Sequence, residues 1–200
     1  RYVSAKAAEY LGKAKEDVKI ITCHLGNGSS IAAVNGGKCV DTSMGLTPLA
    51  GVLMGTRSGD IDPSVVCYLN ELTGISGNAM SDILNKKSGF LGISGISSDN
   101  RDIETASEQG NERAKLVHQM LSYQIQKYIG SYTAAMNGLD CLVFTGGIGE
   151  NSHGVRHMVC ENMGYFGIGI DGEQNLKRGM EINDITGEGA RVKTLVVQTN

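Results

Sequence analysis

Residues 18–42 read VKIITCHLGNGSSIAAVNGGKCVDT, and their reading decides the fold. Val18 to His24 is apolar and β-branched, Ser29 to Val34 alternates, and Lys38 to Thr42 is a third short extended run. Gly26-Asn27-Gly28 and Asn35-Gly36-Gly37 separate them with residues suited to tight hairpins, so the spacing predicts a three-stranded meander. The first turn carries more than a hairpin needs. Asn-Gly alone would reverse the chain, yet His24 and a second glycine precede it and two serines follow. Gly26 and Gly28 could aim successive N–H groups at one point as an anion nest. From this stretch by itself a hairpin with incidental glycines is the favoured reading.

Working outward, residues 3–15 have a helical pattern ending near Gly12. Met44 to Asp60 is a long glycine-rich connection leading to Asp62-Pro63, a helix cap followed by a favoured first residue. Helical patterns follow at 62–73 and 77–87. The longest runs over about 112–137, with Val117, Met120, Leu121, Gln124, Ile125, Tyr128, Ile129, Tyr132 and Met136 on one face and Gly138 as its stop. Cys141 to Phe144 reads as a buried strand ending in the loop Thr145 to Asn151, with a helix over 152–163 behind it. Val192 to Val197 is a further strand-like run. A meander followed by alternating helices and strands implies an α/β fold on a mixed sheet.

Composition narrows the function. The chain has 200 residues, 40% of them hydrophobic and 20% charged, enough for one sizeable core or two small ones. A net charge of −3 with no basic block longer than Lys86-Lys87 excludes an electrostatic footprint for nucleic acid or anionic membrane. No apolar run approaches the roughly 20 residues of a membrane span, and Arg1-Tyr-Val-Ser4 opens no signal peptide. The five cysteines, Cys23, Cys39, Cys67, Cys141 and Cys160, form no C-x-x-C pair and read as reduced, mostly buried thiols of a cytoplasmic protein. Both ends look cut, at Arg1 and just past the strand-like run at Thr199-Asn200.

Three further stretches carry candidate chemistry. Thr145-Gly-Gly-Ile-Gly-Glu-Asn151 follows a strand, where glycines permit close approach of a nucleotide and a helix start favours negative charge. It lacks the third glycine of a dinucleotide fingerprint, and Gly36-Gly37-Lys38 lacks the spacing of a P-loop. Met54-Gly-Thr-Arg-Ser-Gly-Asp-Ile-Asp-Pro63 sets Arg57 between glycines, free to project a permanently charged fork toward a phosphoryl group. The plainer reading is an arginine bridged to Asp60 or Asp62. Ser97 to Asp102 reads as a polar loop and helix start. His153 and His157 lie one turn apart without a third ligand, so no metal site is assigned, and His118 reads as a packing or surface residue of the long helix.

Taken together, His24 to Gly28, Gly45-Leu-Thr-Pro-Leu49, Met54 to Pro63, Ser97 to Arg101 and Phe144 to Asn151 resemble the acetate kinase family in order and spacing over essentially the whole chain. The resemblance implies an actin, sugar-kinase and Hsp70-like (ribonuclease H-like) domain with a βββαβαβα core. It implies ATP:acetate phosphotransfer giving acetyl phosphate and ADP. Arg57 would stabilise the transition state. His24, Leu25, Gly26, Asn27 and Gly28 would cradle the transferring phosphate, with Asp99, Asn100 and Arg101 and Gly147, Ile148, Gly149, Glu150 and Asn151 around ATP or ADP. Pro48 would border the acetate methyl group.

By the same resemblance, Mg2+ accompanies the nucleotide on ligands outside this chain, and the protein is a homodimer. Residues 1–200 would then be the second, nucleotide-binding and dimerisation domain of a two-domain kinase, trimmed at both ends and inactive alone. Propionate or butyrate kinase activity, or a non-catalytic nucleotide-binding module, are the competing readings.

Overall fold

The computed structural model describes residues 1–199. The chain forms two compact units: one of Arg1–Gly26, Ser30–Ser43 and the residues from Ser122 onward, the other of Asn27–Ser29 and Met44–Leu121.

The first unit holds the sheet. Strands β1 (Lys19–His24), β2 (Ser30–Asn35) and β3 (Lys38–Thr42) form the expected antiparallel meander, with His24 opposite Ser30 and Asn35 opposite Lys38. Gly36 and Gly37 both have positive φ, 58° and 72°, as a tight turn between right-twisted strands requires. Strand β4 (Cys141–Thr145) lies parallel to β1, and all five of its residues are buried, as a continuous apolar run in a central strand should be. Strand β6 (Lys193–Val197) is parallel to β4, and the short β5 (Ile182–Asp184), which the sequence pattern misses, pairs antiparallel at the edge. The strand order β3-β2-β1-β4-β6-β5 is the mixed six-stranded sheet of an α/β fold.

Helix α1 (Tyr2–Tyr10) packs Ala7 and Ala8 onto Val18, Ile20, Val34, Cys141, Val143, Leu195 and Val197. It stops at Tyr10, short of the expected range, because Gly12 turns with φ 64°. Residues 122–136 of helix α6 (Glu112–Met136) also belong here, with Ile125, Ile129, Tyr132 and Met136 buried at helical spacing. Its end differs in detail from expectation: Asn137 takes the left-handed conformation, and the Gly138 N–H closes on the Thr133 carbonyl. Helices α7 (Gly146–Asn151), α8 (His153–Cys160) and α9 (Gly172–Leu176) complete the unit.

The second unit is helical. Asp62 caps α2 (Pro63–Thr73) by accepting from the Ser64 N–H, with Pro63 at its start and Gly74 as its left-handed stop. Ser76 caps α3 (Gly77–Lys86) and Asp99 caps α5 (Asn100–Glu108). Between them lies α4 (Gly89–Ser94), unpredicted because two of its six residues are glycine. Val52, Leu53, Met54, Phe90, Ile103, Ala114, Val117 and Leu121 are buried. The long connection is therefore anchored through its middle.

Candidate functional site

In the first unit, the parallel register of β1 and β4 sets His24 opposite Thr145, so the residues just beyond both strands meet. The Leu25 N–H donates to the Thr145 carbonyl at 2.8 Å, and the Leu25 carbonyl accepts from Ile148 N–H at 2.8 Å and Gly149 N–H at 3.2 Å. Gly146 sits against this bracket with φ 79°; a β-carbon there would lie 2.7 Å from the Leu25 carbonyl oxygen and 3.2 Å from His24 Cε1. Only glycine fits that bend. His24 itself is exposed, whereas Leu25 is buried.

This geometry corrects two expectations. Residues 146–151 are a short helix rather than a loop. Its N-terminal donors are also engaged within the protein: Ile148 and Gly149 on Leu25, and Gly146 on Glu150 Oε1 at 2.9 Å. Gly147 is what the segment leaves bare. It is exposed, and nothing lies within 4 Å of where its β-carbon would be, so a ligand can approach the backbone closely. Asn151 turns its amide back to the Gly147 carbonyl at 2.9 Å.

Arg156, which no local pattern singles out, is fully buried beneath the segment. Its Nη1 donates to the Gly149 carbonyl at 2.8 Å and the Glu150 carbonyl at 3.0 Å. Nε and Nη2 bind Asn175 Oδ1 at 2.7 Å and the Asn175 carbonyl at 2.6 Å.

In the second unit, Arg57 Nη1 donates to the Pro48 carbonyl at 3.2 Å and lies 3.7 Å from Met54 Sδ. A β-carbon on Gly28 would come within 3.2 Å of the same nitrogen. Asn27, Gly28, Pro48 and Arg57 are thus brought together. The aspartates take other work: Asp60 accepts from the Gly51 N–H at 2.8 Å and Asp62 caps α2.

Glycines around Arg57 serve close packing more than freedom. A β-carbon on Gly55 would meet the Ser98 carbonyl at 2.9 Å and Asn27 Oδ1 at 3.1 Å. On Gly89, at φ 60°, it would collide with the Met54 carbonyl, which already accepts from the Phe90 N–H at 2.8 Å. Backbone bonds from Met54 N–H to Arg57, from Leu91 N–H to Gly55 and from Ser88 N–H to Thr56 hold the stretch in place. Arg57 is therefore presented from a preset frame.

Next to Ser98, Asp99 caps α5 through the Arg101 N–H at 2.9 Å, and the exposed Arg101 guanidinium folds back on the same carboxylate at 3.0 Å. That side-chain hydrogen bond brings the Asp99 carboxyl down to about 2, and the backbone N–H adds to it. Asn100 is buried, with Oδ1 2.9 Å from His118 Nε2. Burial pushes the imidazole below its ordinary range, partly opposed by Glu104. The buried pair of His118 and Asn100 ties α5 to α6.

Pro48 is exposed and takes part through its carbonyl. Cys23, Cys141 and Cys160 are buried free thiols, and burial holds Cys160 up at about 12; Cys39 and Cys67 are free and exposed. Among the described residues no three His, Cys, Asp or Glu side chains gather as a metal site. No described helix is long and apolar enough to cross a membrane.

Comparison with known proteins places these features in a family. The model of the acetokinase family matches residues 1–200. Acetate kinase of Natranaerobius thermophilus is 54% identical over 200 residues, covering 100% of this chain and 50% of its own length. The chain spans about half the length of the curated relatives it matches. Among solved structures, Porphyromonas gingivalis acetate kinase superposes with a TM-score of 0.96 at 49% identity, over 99% of this chain and 50% of that one. A propionate kinase from Francisella tularensis gives 0.92 at 42% identity, over 100% and 50%.

Proposed function

The chain belongs to the acetokinase family, and on that premise we propose that it is the nucleotide-binding half of an enzyme that moves a phosphoryl group reversibly between ATP and acetate. The observation that carries this reading is the setting of Arg57, its Nη1 between the Pro48 carbonyl and the bare backbone of Gly28. Acetate is a weak nucleophile and the transferring group is highly charged, so catalysis rests on alignment and on neutralising phosphoryl oxygens. A guanidinium presented from a fixed backbone frame beside a glycine turn suits that task, because it brings permanent charge to the transferring group.

In this reading Arg57 acts on the transferring phosphoryl group, and Pro48 borders the acyl chain. His24 to Gly28 line the phosphates. Asp99 to Arg101 and Gly147 to Asn151 border ATP or ADP, with Gly147 offering the open backbone surface. Mg2+ accompanies the nucleotide, on ligands that the family resemblance puts outside residues 1–200. The complete enzyme is a two-domain cytoplasmic homodimer in this proposal, and residues 1–200 alone bind nucleotide without turnover.

The Francisella relative supports a second reading, propionate as acceptor. Both are tested by hydroxamate detection of acyl phosphate, using protein from an uninterrupted reading frame with ATP and acetate, propionate or butyrate in parallel. Acetate should be the preferred acceptor. Arg57→Ala should lower turnover by roughly 10³ while leaving ATP affinity within a few-fold, by analogy with other phosphoryl-transfer arginines. Undiminished turnover in that variant would overturn the role of Arg57, and absence of any acyl phosphate would leave a binding module.

A further inference from the structure

Glu150 lies in the segment proposed to border the nucleotide, yet one oxygen of its carboxylate is taken up by protein donors. One oxygen, Oε1, accepts from the Gly146 N–H at 2.9 Å, the Thr199 N–H at 2.9 Å and the Thr199 hydroxyl at 3.0 Å. Three donors converge on a single charged acceptor, an arrangement stronger than neutral pairs would give. Gly146 is the left-handed bend directly after β4, and Thr199 lies just past β6, the strand parallel to β4. The Glu150 backbone is held as well, because its carbonyl accepts from Arg156. A single side chain therefore ties the start of α7, its last turn and the exit of β6.

We propose that Glu150 is a positioning residue whose side chain sets the bend at Gly146 and couples it to Thr199. The inference rests on the reading that Gly147 to Asn151 border the nucleotide. What the role needs is an acceptor oxygen at the right reach, and negative charge only strengthens it. Glutamine keeps an acceptor at the same reach. Aspartate keeps the charge but is one methylene short. A residue holding a metal or repelling phosphate through its charge would tolerate these changes in the opposite order.

The test compares wild type with Glu150→Gln, Glu150→Asp and Glu150→Ala in the 200-residue chain. Amide hydrogen exchange at Gly146 and Thr199 is read by NMR, and Mg-ADP binding by calorimetry. Glu150→Gln should stay within about threefold of wild type in both readouts, whereas Glu150→Asp and Glu150→Ala should exchange both amides, and release ADP, roughly tenfold more readily. ADP should slow Thr199 exchange in wild type and lose that effect in Glu150→Ala.

Unchanged exchange in Glu150→Asp would overturn the brace, as would a Gln variant worse than Asp. Should Glu150→Ala fail to fold, the Gln and Asp order still decides. If wild type binds no ADP, the nucleotide reading fails, while the exchange rates still judge the brace.

Discussion

Arg57 Nη1 lies 3.2 Å from the point where a β-carbon on Gly28 would stand, so the hairpin tip leaves room for the guanidinium by lacking a side chain. The neighbour is the far end of a flexible side chain, and Gly28 has no positive φ, so alanine is compatible with its backbone. Gly28→Ala should therefore keep stability within about 0.5 kcal/mol in urea melts. The guanidinium must still give way. Its side-chain 15N resonance should shift, and turnover of the complete enzyme should fall with nucleotide KM little changed. An unmoved Arg57 resonance would contradict the packing argument.

Gly147 presents the reverse case. Its β-carbon would point into open space, it has no positive φ, and it lies in α7. Gly147→Ala should leave the fold unharmed or stabilise it by about 0.5–1 kcal/mol, the helix preference of alanine over glycine. If a nucleotide lies against that bare backbone, the added methyl should weaken ADP binding by roughly tenfold, the effect of a 1.4 kcal/mol loss. A variant that binds ADP as tightly as wild type would move the ligand away from Gly147.

The meander was legible because hairpins are local: Asn35-Gly36-Gly37 and the alternation around it need no distant partner. The same holds for Asp62-Pro63, whose cap acts within two residues. What stayed hidden depends on contacts far along the chain. Residues 146–151 look like a loop because three of six are glycine, yet they are helical with the Leu25 carbonyl receiving their N–H groups and Arg156 their carbonyls. Arg156 gave no signal of its own, since Asn175 lies 19 residues away. Arg57 was legible as a candidate. Its frame was not, because the glycine that admits it, Gly89, lies in a helix concealed by its own glycines.

Asp99 supplies a pH prediction. Its carboxyl lies at about 2 against an ordinary 3.8, first because of the Arg101 side chain and then the Arg101 N–H. A depressed carboxyl contributes stability that is complete above about pH 4 and is lost as pH falls toward 2. Exposure keeps the contribution small. Carboxyl 13C titration should show Asp99 ionised to near pH 2. Arg101→Gln should return it only part of the way, because the backbone N–H remains. A midpoint near 3.8 in the unaltered chain would show that the ion pair is not held in solution.

Arg156 should matter most to stability. Its guanidinium is completely buried and meets the carbonyls of Gly149, Glu150 and Asn175 and the Asn175 side chain. Arg156→Met preserves much of the volume but strips those acceptors of their donors, and each buried acceptor left without one costs about 1–3 kcal/mol. Relaxation around the site recovers part of this, so a net loss of about 3 kcal/mol or more is expected by chemical denaturation. Arg156→Lys should fall between, since one ammonium can reach a carbonyl or two but cannot span α7 and Asn175 together. A methionine variant within about 1 kcal/mol of wild type would mean that α7 is held by Leu25 and Glu150 alone.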